Sequence, residues 1–537
     1  MPRWPEEIEI FDTTLRDGSQ QEGLSLTADD KLRVAEQLDH LGVTYIEGGW
    51  PGVNPKDDAF FARAPRELSL STSTLVAFGS TRRAGVRASH DPTLANLLAA
   101  ETTAVCIVAK SWDRHVTDAL RTDLDEAVAM VADSVSYLRA HDRRVFLDAE
   151  HFFDGYLHNP SFAMAVLRAA IESGAETVVL CDTNGGTLPH QVAAVVSEVA
   201  ATCSSKIGIH CHNDAGCAVA NSIAAVGAGV THVQGCMNGY GERAGNADLA
   251  ALIPDISLKL AVRTIPDERL ERLTAVSHHI AELVNIPPNP QQPYVGSSVF
   301  AHKAGLHASA VARRRDLYEH ATPELVGNGM RVVVSELAGR STLAMKATEL
   351  GLKLDGEVLG RVLDELKALE HQGYHFEVAD GSLELLLRRA SGWEPDFFEV
   401  ESFRVITDHG GFERQDGDGS GTISTEATVK VAVNGERIVA TAQGNGPVNA
   451  LDAALREAIG SRFPQLAAMR LTDYRVRVLD TGSGTGAVTR VLVDTSDGER
   501  TWTTIGVSEN IIEASWQALF DSVVLGLLAD RRAAPPS

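Results

Sequence analysis

A chain of 537 residues, 44% hydrophobic and 22% charged, has the composition of a soluble globular protein with two to four domains. Its net charge of −24 argues against non-specific nucleic-acid binding, though not against a locally basic pocket for an anionic small molecule. The start, MPRWPEEIEI, lacks a basic-then-apolar leader, and no uninterrupted apolar run is long enough to span a bilayer. A cytoplasmic protein with neither membrane nor nucleic-acid partners is therefore expected.

Eight short apolar runs precede residue 250, each ending in polar or glycine-rich residues: IEIFDTTLRDG, YIEGGWPG, STLVAFG, AVCIVAK, RVFLDAEHF, TVVLCDTNG, KIGIHCHND and HVQGCMNGYGER. Helix-like segments separate them. In ADDKLRVAEQLDHLG the apolar residues Leu32, Val34, Ala35, Leu38 and Leu41 fall near helical spacing. Strands alternating with helices predict parallel βα units, and eight of them in this length predict a (β/α)8 barrel over residues 1–270. An open doubly wound sheet needs fewer strands, and no GxGxxG follows the first one. The six cysteines, Cys106, Cys181, Cys203, Cys211, Cys217 and Cys236, form no CxxC and read as reduced thiols.

Residues 271–390 read as helical subdomains, with LGRVLDELKALEHQG clearly amphipathic and NIPPNPQQPYVG (285–296) a linker by composition. Residues 391–537 contain an internal repeat. ATVKVAVNGERIVATAQGNGPVNALDAALREAI and AVTRVLVDTSDGERTWTTIGVSENIIEASWQALFDSV each read strand, GER turn, strand, glycine and amphipathic helix. Such an α+β domain suits dimerisation or ligand sensing. QDGDGSGTISTEA (415–427) resembles a calcium loop, but its twelfth position is Ala427 and its flanks are strand-like, so a hairpin loop is expected. In GNGP (444–447), Pro447 fits the first turn of a helix better than an anion site. Arg313, Arg314 and Arg315 could meet the phosphates of an anionic ligand or face water.

A barrel gathers its chemistry at the C-terminal ends of its strands. Strand 7 ends in His210-Cys211-His212, and residues two apart on a strand point the same way. Strand 1 ends in Arg16-Asp17, and the segment after strand 8 brings Asn246. Closure puts strand 8 between strands 7 and 1, so Asp17, His210, His212 and Asn246 can converge on one divalent metal, Mg2+, Mn2+ or Zn2+. Strand 5 adds Asp148 and Glu150, and strand 6 adds Asp182 and Thr183. A carboxylate, a hydroxyl and an arginine around a metal suit an anionic keto acid.

FDTTLRDGSQQEG, HCHNDAGCAVANS and NGYGERAGNADL resemble the signatures of the family of 2-isopropylmalate, homocitrate and citramalate synthases, and the likeness covers nearly the whole chain. It implies an acyltransferase that joins acetyl-CoA to a 2-keto acid by a Claisen condensation. It implies Asp17, His210 and His212 as metal ligands, with Asn246 as a weaker fourth. Arg16 would lie beside the keto oxygen, Thr183 on the keto-acid carboxylate, and Glu150 near the acetyl group as a catalytic carboxylate. FAHKAGLHASA brings His307 as the base, over the partner subunit's barrel, and LYEHATPELVGN brings Tyr318 to support it. EGGWPGVNPKD, VAKSWDRHV and GVSENIIEASWQAL resemble the citramalate branch, which implies pyruvate, with 2-isopropylmalate synthesis as the alternative. One departure is Asp148, where some relatives in that branch carry a tyrosine in the substrate site. The C-terminal repeat resembles the family's leucine- or isoleucine-sensing domain. It implies an amino-acid effector, isoleucine before leucine, and a homodimer. A lyase of hydroxymethylglutaryl-CoA type and an amino-acid sensor on an inactive barrel are the rivals from other classes.

Overall fold

The computed structural model describes residues 4–302, 314, 319–329, 331–332, 340–376, 378–409, 423–479, 484, 486–498 and 500–533. The chain forms two compact units: residues 1–300 with 319–330, and residues 301–318 with 331–537.

The first unit is a closed parallel barrel of eight strands in sequence order: β1 (Glu9–Asp12), β2 (Tyr45–Glu47), β3 (Thr74–Ser80), β4 (Ala104–Lys110), β5 (Arg144–Glu150), β6 (Thr177–Asp182), β7 (Lys206–Cys211) and β8 (His232–Gly235). β1 pairs with both β2 and β8, which closes the ring. Buried aliphatic residues of the strands and helices form one continuous core. The helix Ala28–Leu41 shows how local sequence sets an element. Thr27 caps it reciprocally with Asp30, its Leu32, Val34, Ala35, Leu38 and Leu41 are buried, and Gly42 ends it at φ 97°. The floor is an aromatic layer of Phe11, Tyr45, Phe146 and His232, whose rings lie 4.9–5.8 Å apart. Below it, Glu9 accepts from His232 at 3.3 Å and pairs with Lys206 at 2.5 Å.

The proline-rich tract differs from its expectation as a linker. Tyr294 and Val295 are buried, Gln292 donates to Asn238 and Asp248, and Tyr294 Oη donates to Asp255 at 2.6 Å. Asn328 donates to the carbonyls of Tyr294 and Gly296. Two apolar side chains and a set of amide hydrogen bonds hold this stretch to the barrel unit, a role its composition does not reveal.

In the second unit, β9 (Ala301–His302) pairs with β10 (Arg331–Val332), and the helices Arg340–Glu349, Gly356–His371 and Asp380–Ala390 follow. Two antiparallel three-stranded sheets come next: β11 (Glu399–His409), β12 (Ile423–Val433) and β13 (Glu436–Gly444), then β14 (Arg470–Val478), β15 (Thr489–Ser496) and β16 (Thr501–Ser508). Each sheet is followed by a helix, Pro447–Ile459 or Ile511–Ala533, so the repeat is real and each copy has one more strand than expected. Alternate residues Ala427, Val429, Val431 and Val433 of β12 are buried with Leu451, Leu455 and Ile459. Pro447 occupies the first turn of its helix. Residues 410–422, most of the calcium-like loop, lie outside the described residues; β11 and β12 on either side pair antiparallel. Among the described residues one helical stretch, Ile511–Leu528, is long and apolar enough to cross a membrane, and 67% of it is buried. All six cysteines are free, four of them buried.

Candidate active site

The strand ends open into a cavity of about 540 Å³ lined by Arg16, Asp17, Asp148, Glu150, Thr183, His210 and His212, among others. That volume suits a small-molecule site. His210 and His212 project from the end of β7, and Asp17 lies in the turn after β1. Asp17 Oδ2 stands 3.1 Å from His210 Nε2 and 3.7 Å from His212 Nε2. One donor atom from each of the three lies within 4.8 Å of the others, and all three side chains are buried. Asn246 forms a backbone bridge with His212. Its Nδ2 donates to the Tyr240 carbonyl at 3.1 Å, while its Oδ1 is buried without a hydrogen bond, as is His212 Nδ1. One carboxylate, two imidazoles and an unpartnered amide oxygen fit a divalent cation.

The charges around this group are interlocked. Burial raises the Asp17 carboxyl, but Arg16, His210 and His212 more than reverse that and hold it well below the usual carboxylate range. Burial and the charge of His210 push His212 down to about 4, so its ring is neutral at pH 7 and free to ligate. The His210 Nδ1–Gln234 Oε1 contact is 2.8 Å, and Gln234 Nε2 donates to Asp148 Oδ1 at 3.0 Å. That amide orientation puts a proton on His210 Nδ1 and leaves Nε2 as the ring atom that faces Asp17. Asp148 therefore reaches the histidine through an amide.

Arg16 is held from three sides. Its Nε donates to the fully buried Glu47 at 2.6 Å, its guanidinium lies 3.9 Å above the Phe78 ring, and Asp17 is 3.5 Å away. Burial opposes its charge, but Glu47, Asp17 and Asp148 restore it beyond the ordinary arginine range. Thr183 Oγ1 accepts from the His151 backbone N–H at 2.8 Å. Glu150 pairs with Lys110. Asp182 instead braces the loop after β6, accepting from Thr187 Oγ1 and N. His307 and Tyr318 lie outside the described residues, as do Arg313 and Arg315.

Sequence reasoning overlooked Glu47 and Gln234. Both sit at strand ends within runs already read as strands, YIEGG and HVQGC. The signal was a lone carboxylate or amide ending an apolar run immediately before a glycine, Gly48 or Gly235.

Residues 7–280 match the HMGL-like family, residues 294–374 the homocitrate synthase post-HMGL domain-like family, and residues 377–526 the LeuA allosteric (dimerisation) domain. Fold, site and matches together define an enzyme of the HMGL-like class with a LeuA-type allosteric domain. An (R)-citramalate synthase of Streptomyces coelicolor is 55% identical over 522 residues, 97% of this chain and 96% of that protein. An (R)-citramalate synthase of Aquifex aeolicus is 48% identical over 98% of each chain. A probable 2-isopropylmalate synthase of Methanopyrus kandleri is 32% identical over 98% of this chain and 99% of that one. The chain belongs to the (R)-citramalate synthase family.

Proposed function

We propose that this chain condenses acetyl-CoA with pyruvate and hydrolyses the adduct to (R)-citramalate and CoA, supplying isoleucine synthesis without threonine. The observation that carries this reading is full-length identity of 55% and 48% to (R)-citramalate synthases, against 32% to the probable 2-isopropylmalate synthase. In this reading Asp17, His210, His212 and Asn246 hold a divalent metal, Mg2+ or Mn2+ before Zn2+. When bound, that ion polarises the keto carbonyl as a Lewis acid.

The chain's own groups do the rest. Arg16, fixed by Glu47 and Phe78, faces the keto oxygen and stabilises the negative charge it gains as the new carbon–carbon bond forms. Thr183 orients the pyruvate carboxylate with its hydroxyl, and Asp148 borders the same end of the cavity. His307 takes the methyl proton of acetyl-CoA, supported by Tyr318, with Glu150 beside the acetyl group. Water then cleaves the thioester, which makes the sequence irreversible. The LeuA-type domain pairs two chains and takes isoleucine as its effector. The protein works in the cytoplasm.

The test is CoA release from metal-loaded protein, read by thiol titration, with pyruvate, 2-oxobutyrate, 2-oxoisovalerate and 2-oxoglutarate offered separately. The highest kcat/KM is expected with pyruvate. A preference for 2-oxoisovalerate would replace this reading with 2-isopropylmalate synthesis.

A further inference from the structure

We propose that Lys110 is a positioning residue for the condensation, its ammonium group holding the Glu150 carboxylate in one place at the barrel mouth. The inference rests on the role given to Glu150 above.

The barrel register sets up the pair. Lys110 and Glu150 are the last residues of β4 and β5 and stand directly opposite each other, one step above Val108 and Asp148 in the inward-facing series. Both line the cavity, and the Lys110 ammonium pairs with Glu150 Oε2. Their side chains are 29% and 23% exposed, so the pair borders the cavity within reach of substrate.

The backbone around Glu150 is stitched as firmly as its carboxylate. Ser111 donates to the Glu150 carbonyl from both its N–H, at 3.2 Å, and its Oγ, at 2.6 Å. On the other side, the His151 N–H reaches Thr183 at 2.8 Å. His151 itself is held at φ 56°, a conformation unfavourable for a side chain of its size, with its ring 4.3 Å from that of His115 and 6.0 Å from that of Trp112. Lys110, Ser111, Trp112 and His115 all belong to the run KSWDRHV. Part of this run thus braces the end of β5, while its Asp113 accepts from Asn159 at 3.0 Å farther along the chain. Within it only Lys110 touches the reacting carboxylate's own oxygen. A glutamate side chain has three rotatable bonds, and among the described residues Lys110 is the cation paired with this carboxylate.

The experiment compares wild type, Lys110→Met, Lys110→Arg, Glu150→Gln and the double variant Lys110→Met/Glu150→Gln. Lys110→Met is expected to lower kcat about 10–100-fold with the KM for pyruvate changed less than about twofold, the signature of a misplaced group and not of lost substrate binding. Lys110→Arg restores at least a third of the lost kcat, and the double variant is no slower than Glu150→Gln alone. An unchanged kcat in Lys110→Met would overturn the proposal. So would a raised pyruvate KM at unchanged kcat, which would make Lys110 a ligand of the keto acid. The pair is also read without substrate, from the melting temperatures of the same four-cornered cycle. Additive shifts would refute the ion pair whatever the enzyme's reaction, whereas absence of CoA release from wild type with every keto acid would refute the functional reading instead.

Discussion

Replacing Glu47 by alanine leaves Arg16 charged, nearly buried and without its closest partner. Breaking a buried, hydrogen-bonded ion pair costs roughly 3–5 kcal/mol. Arg16 keeps Asp17 at 3.5 Å and the Phe78 ring at 3.9 Å, which places the loss at the low end, about 3 kcal/mol. A barrel unit of about 300 residues unfolds with an entropy near 0.6 kcal/mol per kelvin, so the melting temperature should fall by about 5 °C. Glu47→Gln keeps an oxygen able to accept from Arg16 Nε, and should cost about 1.5 kcal/mol or about 2 °C. The effect on catalysis is larger, because Glu47 aims the guanidinium. A loss of about 1.4 kcal/mol of transition-state stabilisation is tenfold in rate, so kcat/KM for pyruvate should drop about tenfold in Glu47→Gln and about 100-fold in Glu47→Ala. Calorimetry and steady-state CoA release measure the two effects on the same preparations. A Glu47→Ala protein with wild-type kcat/KM, whatever its melting temperature, would refute the reasoning.

The remaining predictions concern the metal group, the barrel floor and one glycine. Asp17→Asn should weaken Mn2+ binding at least tenfold by titration calorimetry, and chelation of the wild type should abolish activity that Mg2+ or Mn2+ then restores. Burial raises Glu9, but the His232 and Lys206 contacts bring it from 4.5 to about 2, so its contribution is full above pH 4.5 and fades as pH falls toward 2. Discounted for its partial exposure, that contribution is about 1–2 kcal/mol. Urea unfolding of Glu9→Gln and wild type should therefore differ by that amount at pH 7 and converge near pH 2. Gly155→Ala would set a Cβ 2.2 Å from the Ser111 carbonyl oxygen and should cost about 2 kcal/mol, seen as a melting temperature about 3 °C lower.

The barrel was legible because each parallel strand is buried on both faces and so reads as a continuous apolar run. The first strands of the two C-terminal repeats were not: EVESFRVITDH and RLTDYRVRV alternate charged and apolar residues, and that charge reads as loop. Asp17, His210 and His212 declared themselves by spacing, since two histidines two apart on a strand share a direction. Glu47 and Gln234 did not, because their meaning lies in register. Gln234 matters through standing opposite His210, and Lys110 through standing opposite Glu150, and pairing between strands is written nowhere in a single segment. The proline tract was misjudged for a related reason: its composition describes its backbone, whereas its role depends on Asn238, Asp248 and Asp255 elsewhere in the chain.

The four rings under the barrel have a consequence for traffic. Phe11, Phe146 and His232 are wholly buried and Tyr45 nearly so, which seals the lower end of the barrel. Everything that takes part in the reaction must then share the doorway above. In the proposed reaction the water that cleaves the thioester would arrive through the opening that admits both substrates, and the products would leave by it. In the same proposed reaction, a pantetheine arm lying in that doorway would be a stopper as well as a reactant. It would keep bulk water from the enolate while carbon meets carbon, and its departure would clear the exit for the dicarboxylate behind it.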